Sequence, residues 1–282
     1  MPALPTLLAT GCAWLLARPL LGALAAGGAV RANYRDRRLP FPFGLLVPLA
    51  ACLALAPLAL AQALGVADVL PRRFGCVLLL CLGVAGLGLI DDALPGRLSA
   101  RSGRAARGVR AHAAAVARGE LSTGAIKAVG TIILALVAAA GLQRPGASQL
   151  VGAGVITLSA HVFNLLDLRP GRAPKAFALL LAAVAAGTGD ARALWAVGLF
   201  AGPALVAGAF DLRERALLGD TGASVLGALA GVLLVLALPA HGQLVALGAL
   251  AAVSVYGELG SISRLIEATP GLRKLDSLGR PS

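Results

Sequence analysis

The chain has 282 residues, of which 58% are hydrophobic and only 13% are charged, and its net charge at pH 7 is +12. A soluble domain carries about 25% charged residues, so this composition excludes an ordinary soluble protein and predicts an all-α polytopic membrane protein. In such a protein the positive charge indicates basic cytoplasmic loops rather than a nucleic-acid partner.

Several apolar stretches reach the roughly 20 residues that a helix needs to cross a bilayer. We predict a single integral membrane domain over residues 1–282 with nine spans, at residues 4–29, 43–66, 73–90, 122–142, 148–166, 174–188, 191–210, 222–239 and 243–262. The alternate loops and the C-terminal tail hold 19 Lys and Arg residues, and the opposite loops hold four. Because cytoplasmic loops retain these residues, the asymmetry predicts an outside N-terminus and a cytoplasmic C-terminus. The basic segment 93–121 is either an interfacial helix or a solvated loop.

Two adjacent carboxylates, Asp91 and Asp92, close the third predicted span, and an arginine-rich segment follows them. Neighbouring carboxylates repel each other unless a cation or a proton lies between them. Mg²⁺ answers this need, because it takes oxygen ligands from one or two protein carboxylates together with substrate phosphates. Asp167, Asp211 and Asp220 also fall at span ends that the predicted topology places on the cytoplasmic side. We therefore expect all five acids at a similar depth.

A second polar group ends the fifth predicted span. His161, Asn164 and Asp167 recur every three residues, a spacing that lets all three side chains face one cavity from a helix. The helix macrodipole disfavours an acid at a helix C-terminus, so we expect a cation or an arginine beside Asp167. An intramembrane histidine such as His161 is more often a packed, hydrogen-bonded residue.

The eighth predicted span opens with Leu218-Gly-Asp-Thr-Gly-Ala-Ser224. Asp220 and Thr221 suit a plain N-cap, whereas the flanking glycines let a backbone approach a ligand closely. A helix N-terminus also favours an anion such as phosphate, so the functional interpretation is a metal–diphosphate site. Lys127, near the start of the fourth span, either extends to the membrane interface or binds phosphate.

Five motifs occur in a specific order: Asn33-Tyr-Arg-Asp-Arg-Arg-Leu-Pro40, Gly88-Leu-Ile-Asp-Asp92, a lysine early in the next span, Asn164-Leu-Leu-Asp167, and Gly219-Asp-Thr-Gly-Ala223. Together they resemble the polyprenyl-phosphate N-acetylhexosamine-1-phosphate transferases, the MraY/WecA-like membrane enzymes. Each motif alone is weak, but the last four, in this order and on one predicted membrane side, are specific together. The resemblance covers nearly the whole chain.

The resemblance implies an enzyme that moves a sugar-1-phosphate from a UDP-sugar to a polyprenyl phosphate and releases UMP. It implies Mg²⁺ or Mn²⁺ as cofactor and an active site at the cytoplasmic face of a bacterial-type plasma membrane. It also implies a role in cell-wall or surface-glycan synthesis, such as that of peptidoglycan, and is compatible with a homodimer. It gives catalytic roles to Asp91, Asp92 and Asp220, with the metal held by Asp220 and Asp92. It implies substrate binding by Lys127, Asn164 and Asp167. From the residues themselves we also expect Arg172, in a basic loop, to hold the diphosphate, and Thr221 and Gly222, at a helix N-terminus, to bind phosphate.

The chain also departs from the family pattern, which has a second acid where this sequence has Pro170 and a histidine-rich loop where its tail has no histidine. It has nine predicted spans rather than ten. These departures keep open a second hypothesis, a family relative that binds prenyl phosphate or a nucleotide-sugar without turnover. A transporter with His161 and Glu258 along its path is the third hypothesis. The one-sided placement of the acids argues against it, because transport needs access from both sides.

Overall fold

The computed structural model describes residues 3–66, 68–71, 73–94, 122–143, 145–188 and 191–281. In these ranges the chain forms helices joined by short connections, and the one sheet is a two-stranded hairpin between the first two helices. The helices are α1 Leu4–Ala26, α2 Leu46–Ala63, α3 Phe74–Ala93, α4 Thr123–Leu142, α5 Ala147–Leu166, α6 Arg172–Thr188, α7 Ala191–Leu212, α8 Gly219–Ala237, α9 Ala240–Leu259, α10 Ile262–Ala268 and α11 Pro270–Ser277. The strands are β1 Val30–Ala32 and β2 Arg38–Pro40, and a 3₁₀ helix, Phe43–Leu45, leads into α2.

Eight helices in the described residues are long and apolar enough to cross a membrane, namely α1 to α5 and α7 to α9. The prediction of an all-α polytopic membrane protein is thereby confirmed. The remaining predicted span, 174–188, lies in α6, which has 17 residues. It is roughly 25 Å long at 1.5 Å per residue, short of a hydrocarbon core of about 30 Å. The number of spans and the side on which the termini lie stay predictions.

Helix α6 starts at the end of the bundle where α7 finishes. The amides of Gly171, just before α6, and of Leu218, after α7, both donate to Asp211 near the end of α7. The start of α7 lies at the opposite end, where the Trp195 indole donates to the Val69 carbonyl 3.0 Å away, between α2 and α3. The chain therefore leaves the Asp211 end through α6 and returns to it through α7.

Helix α8 is packed inside the bundle, and every residue from Thr221 to Leu233 is buried. Two of its glycines pack directly on the backbone of α5. A Cβ at Gly227 would lie 2.5 Å from Ala160 Cα, and a Cβ at Gly231 would lie 2.5 Å from Ile156 Cα. Small residues four apart let two membrane helices approach closely, so these glycines fix the position of α8 against α5.

The hairpin and the 3₁₀ helix pack against the segment that leads into α8. Strands β1 and β2 are antiparallel, with Arg31 opposite Leu39 and Ala32 opposite Arg38. Backbone amides then link the two segments in both directions: Leu217 donates to Pro40, and Phe43 and Gly44 donate to Leu217 and Leu218. The hairpin is therefore held beside the first turn of α8. The predicted basic segment 93–121 lies, from residue 95 on, outside the described residues.

Candidate functional site

Three segments far apart in sequence meet at one end of the bundle. Asp91 and Asp92 come from the last turn of α3, Lys127 from the first turns of α4, and Asp220 from the first turn of α8. They come together because Gly88, one turn before the acidic pair, has no side chain to hold α3 away from α8. A Cβ at Gly88 would lie 2.5 Å from the Asp220 carbonyl oxygen.

Asp92 caps the N-terminus of α8. Its Oδ1 accepts the Asp220 amide at 3.1 Å, and its Oδ2 accepts the Thr221 amide at 2.9 Å and the Thr221 hydroxyl at 2.7 Å. The first amides of a helix have no partner within the helix, and an anion beside them is favoured by the macrodipole. Asp92 is 7% exposed, so this carboxylate serves as a buried cap supplied by another helix.

Lys127 bridges the other two acids. Its Nζ lies 2.7 Å from Asp220 Oδ2 and 3.7 Å from Asp91 Oδ2. The Asp220 side chain is 37% exposed, that of Asp91 is 22% exposed and that of Lys127 is 14% exposed. Asp220 and Asp91 are therefore the more exposed side chains of the site, and one ammonium group lies within ion-pair distance of both. Lys127 was predicted either to extend to the membrane interface or to bind phosphate. In this structure its charge is shared between two carboxylates.

The predicted polar residues of α5 face the same region. The Asn164 amide donates to the Ala160 carbonyl at 2.9 Å and to the Ser224 hydroxyl at 3.3 Å, one turn into α8 from Asp220. Asp167 follows the end of α5. Burial, and then the negative charges of Asp211, Asp220 and Asp92, raise the pKa of Asp167 well above its ordinary value. The region thus holds an excess of carboxylates, an arrangement that favours protons or cations.

His161 lies further from the acids, in contact with α9. Its Nε2 is 4.0 Å from Glu258 Oε1. The two residues are on neighbouring helices, α5 and α9, and form a polar pair.

The Asp211 carboxylate holds two of the surrounding loops together, a role that its position in the sequence does not reveal. Its Oδ2 accepts the Gly171 amide at 2.7 Å and its Oδ1 accepts the Leu218 amide at 3.1 Å. Asp211 is 1% exposed. One buried carboxylate therefore fixes the loop that follows Asp167 and the residue before α8. An acid at the end of an apolar run was the available sequence signal, but its partners lie in two different loops.

The Glu214 carboxylate holds the hairpin in place. The Asn33 amide donates to its Oε2 at 3.0 Å and the Tyr34 hydroxyl donates to its Oε1 at 3.2 Å, while Arg35 and Arg37 each lie 3.7 Å from its carboxylate. The Glu214 side chain is fully buried. Four residues of one motif thus converge on a glutamate 180 residues further along the chain.

Arg172, predicted to bind substrate, contacts the C-terminal helices instead. Its guanidinium donates to both oxygens of Asp276, at 2.8 and 3.0 Å, and to the Ser263 hydroxyl at 2.7 Å. Arg280 also pairs with Asp276, and it donates to the Pro170 carbonyl at 2.7 Å. With only 3% of its side chain exposed, Arg172 is an internal anchor in this structure. The tail therefore holds Arg172 in place, although its Asp276 carboxylate is shared with Arg280.

Two further predicted substrate-binding residues are also buried. Thr221 is 0% exposed and gives its amide and hydroxyl to Asp92. Gly222 packs against Gly44, since a Cβ at Gly44 would lie 2.2 Å from the Gly222 amide nitrogen. The close approach that these glycines allow is between two parts of the protein. The predicted phosphate position at the α8 N-terminus is filled by the Asp92 carboxylate.

The described residues contain no group of three or more His, Cys, Asp or Glu side chains arranged to hold a metal ion. A carboxylate has about four lone-pair positions, and Asp92 uses three of them on α8. Mg²⁺ needs only one or two protein carboxylates when phosphates and water complete its octahedron. Asp91 and Asp220 meet that requirement, with Lys127 displaced from between them. The prediction that Asp220 is a metal ligand is compatible with this arrangement. Asp92 fits the role of metal ligand less well, because its oxygens already accept three hydrogen bonds from α8.

No protein-family model matches this chain, and no curated protein matches it significantly.

Proposed function

We propose that the protein is a phosphoglycosyl transferase that moves a sugar-1-phosphate from a UDP-sugar to a polyprenyl phosphate at the membrane surface. The observation that carries the proposal is the meeting of Asp91, Asp220 and Lys127 at the end of the bundle, with Asp167 and Asn164 beside them. A partly exposed group of acids with one lysine, at the mouth of a set of apolar helices, suits a reaction between a lipid phosphate and a soluble diphosphate.

In this reaction an oxygen of the lipid phosphate attacks the β-phosphorus of the UDP-sugar. A new bond forms between that oxygen and the β-phosphorus, the bond from the β-phosphorus to the bridging oxygen breaks, and UMP leaves with the electron pair. Such transfers depend chiefly on positioning and charge neutralisation. A Mg²⁺ ion held by Asp220 and Asp91 would neutralise phosphate oxygens and orient them.

The residues of the chain have separate tasks in this proposal. Asp91 and Asp220 provide the exposed carboxylate oxygens, and Lys127 moves from these acids to an incoming phosphate. Asp92 holds the first turn of α8 so that Asp220 keeps its direction. Asp211 holds the loop that presents Asp167. Membrane helices provide the apolar surface that a prenyl chain requires.

A binding protein without turnover is the second candidate. The observation that favours it is the ammonium group of Lys127, which satisfies Asp91 and Asp220 without a metal ion. The two candidates share one site and differ in whether a divalent cation displaces Lys127 from the acids.

The test is UMP release by the purified protein in detergent, with undecaprenyl phosphate, Mg²⁺ and a panel of UDP-N-acetyl sugars. Asp220→Asn should abolish release, because it removes a ligand and a charge from the site. Asp68→Asn is the matched control, since Asp68 is exposed and lies between α2 and α3 at the opposite end of the bundle. We expect UMP release by the wild type and by Asp68→Asn, and none by Asp220→Asn. Binding of undecaprenyl phosphate without release for any donor would favour the second candidate.

A further inference from the structure

Arg31 has no acid partner among the described residues, unlike Arg35 and Arg37 of the same hairpin. Arg35 and Arg37 lie 3.7 Å from Glu214, whereas no carboxylate of the described residues lies within ion-pair distance of Arg31. Its described contact is with an aromatic ring: the Arg31 Cζ is 3.7 Å from the centroid of Phe41. A guanidinium stacked on a ring keeps its N–H donors at the edge of the plane, where they remain open to a ligand.

The ring that supports Arg31 belongs to the wall of the candidate site. Phe41 is 7% exposed, and it contacts the residue before Asp220. A Cβ at Gly219 would lie 2.8 Å from Phe41 Cε2 and 2.8 Å from Asp92 Oδ2. The positive charge of Arg31 consequently acts on the Asp92 carboxylate. Arg31, Phe41 and the first turn of α8 thus form one continuous surface.

The electrostatics of the site call for such a residue. A phosphate group approaching Asp91 and Asp220 meets two like charges, and Lys127 is shared between them. Arginine matches the geometry of phosphate with two parallel hydrogen bonds, and these are stronger than neutral ones. Within the described part of the chain, Arg31 combines an open guanidinium with a rigid buried support next to these acids.

We propose that Arg31 binds a phosphate group of the substrate, holding its non-bridging oxygens beside the start of α8. The inference rests on the proposed function and specifies a residue of that site which the sequence motifs did not single out. The ligand chemistry is a phosphate monoester or a diphosphate. A lipid phosphate and a nucleotide diphosphate both provide it.

The hairpin supplies its own control. Because side chains alternate between the faces of a strand and Arg31 is opposite Leu39 while Ala32 is opposite Arg38, Arg38 points to the face away from Arg31. Arg31→Gln and Arg38→Gln remove the same charge from the same hairpin. If the charge acts only through the general positive potential, both variants should bind phosphate equally weakly. If Arg31 contacts the ligand directly, only Arg31→Gln should bind it more weakly.

The experiment measures binding directly, so that it does not depend on turnover. Full-length wild type, Arg31→Gln, Arg31→Lys and Arg38→Gln in detergent are titrated separately with inorganic pyrophosphate, UDP and undecaprenyl phosphate. Thermostability and elution profile establish that each variant is folded. If Arg31→Gln does not fold, Arg31→Lys carries the test, because it keeps the charge and loses the planar fork.

Arg31→Gln should weaken binding of at least one probe about tenfold to a hundredfold, as expected for a lost charge-assisted hydrogen bond. Arg38→Gln should stay within about twofold of wild type, the range expected for a screened surface charge. Weaker binding of UDP alone assigns Arg31 to the nucleotide, and weaker binding of undecaprenyl phosphate alone assigns it to the lipid. Equal binding by the two glutamine variants overturns the inference, as does a wild type that binds none of the probes. Absence of UMP release with this binding pattern intact would count against the proposed function alone.

Discussion

Gly88→Ala tests whether the close contact of α3 with α8 builds the candidate site. A Cβ at Gly88 would lie 2.5 Å from the Asp220 carbonyl oxygen and 2.7 Å from Thr221 Cα. Ordinary contacts are about 3.5 Å or longer, so the two helices would have to separate by roughly 1 Å. The neighbours are backbone atoms, and no side chain can rotate away to make room.

That separation acts directly on the cap of α8. The three hydrogen bonds to Asp92 are 2.7 to 3.1 Å long, and about 1 Å more would take them beyond hydrogen-bonding distance. Overpacking costs about 1–3 kcal/mol, and loss of a cap costs about 1 kcal/mol. We therefore expect Gly88→Ala to melt several degrees below wild type and to lose UMP release.

Gly86→Ala is the control for the change of glycine to alanine itself. A Cβ at Gly86 would meet nothing within 4 Å, and alanine is favoured over glycine in a helix by about 1 kcal/mol. This variant should melt at or above the wild-type temperature and keep its activity. Thermostability followed by fluorescence-detected size-exclusion chromatography, with UMP release on the same samples, measures both. A Gly88→Ala protein as stable and active as the Gly86 variant would refute the packing argument.

Three further substitutions give distinct outcomes. Lys127→Gln should bind Mn²⁺ more tightly than wild type in a titration followed by electron paramagnetic resonance, because the two acids that it bridges lose their internal cation; weaker binding would contradict this. Burial alone would raise the pKa of Asp276, but hydrogen bonds from Arg172 and Arg280 more than offset it and lower that pKa. Asp276→Asn should therefore reduce the melting temperature at pH 7, and the difference from wild type should shrink below about pH 4, as the carboxylate is protonated. Burial and neighbouring acids raise the pKa of Asp167, so its ionisation costs stability as pH rises. Asp167→Asn should be at least as thermostable as wild type at pH 8, with the gap closing towards pH 4, and a lower melting temperature at pH 8 would contradict the assignment.

Hydropathy predicted most of the helices because the apolar runs end at polar or helix-breaking residues. The predicted spans 122–142 and 148–166 correspond to Thr123–Leu142 and Ala147–Leu166. The predicted span 174–188 lies in α6, whose 17 residues are near the lower limit for a span. Its course through the bundle follows from the loops at its ends.

The tasks of individual side chains depended on partners that are distant in sequence. Asp91 and Asp92 are equivalent in the sequence. The side of α3 that faces α8 decides that Asp92 is a buried cap and that Asp91 is a partner of Lys127. Arg172 looked like a substrate-binding residue because its loop is basic. Its partner, Asp276, lies 104 residues further on, and no local pattern identifies that pair.

The most direct test of the proposed function is mass spectrometry of the lipid products. Purified protein would be incubated with undecaprenyl phosphate, Mg²⁺ and each UDP-N-acetyl sugar, and the lipid fraction would be analysed alongside that of Asp220→Asn. The account predicts a lipid that has gained one sugar-1-phosphate, formed by wild type together with an equal amount of UMP and absent from the variant. UMP formed without the enlarged lipid would show hydrolysis instead of transfer. An unchanged lipid with every donor, from a folded protein that binds undecaprenyl phosphate, would contradict the proposed transferase.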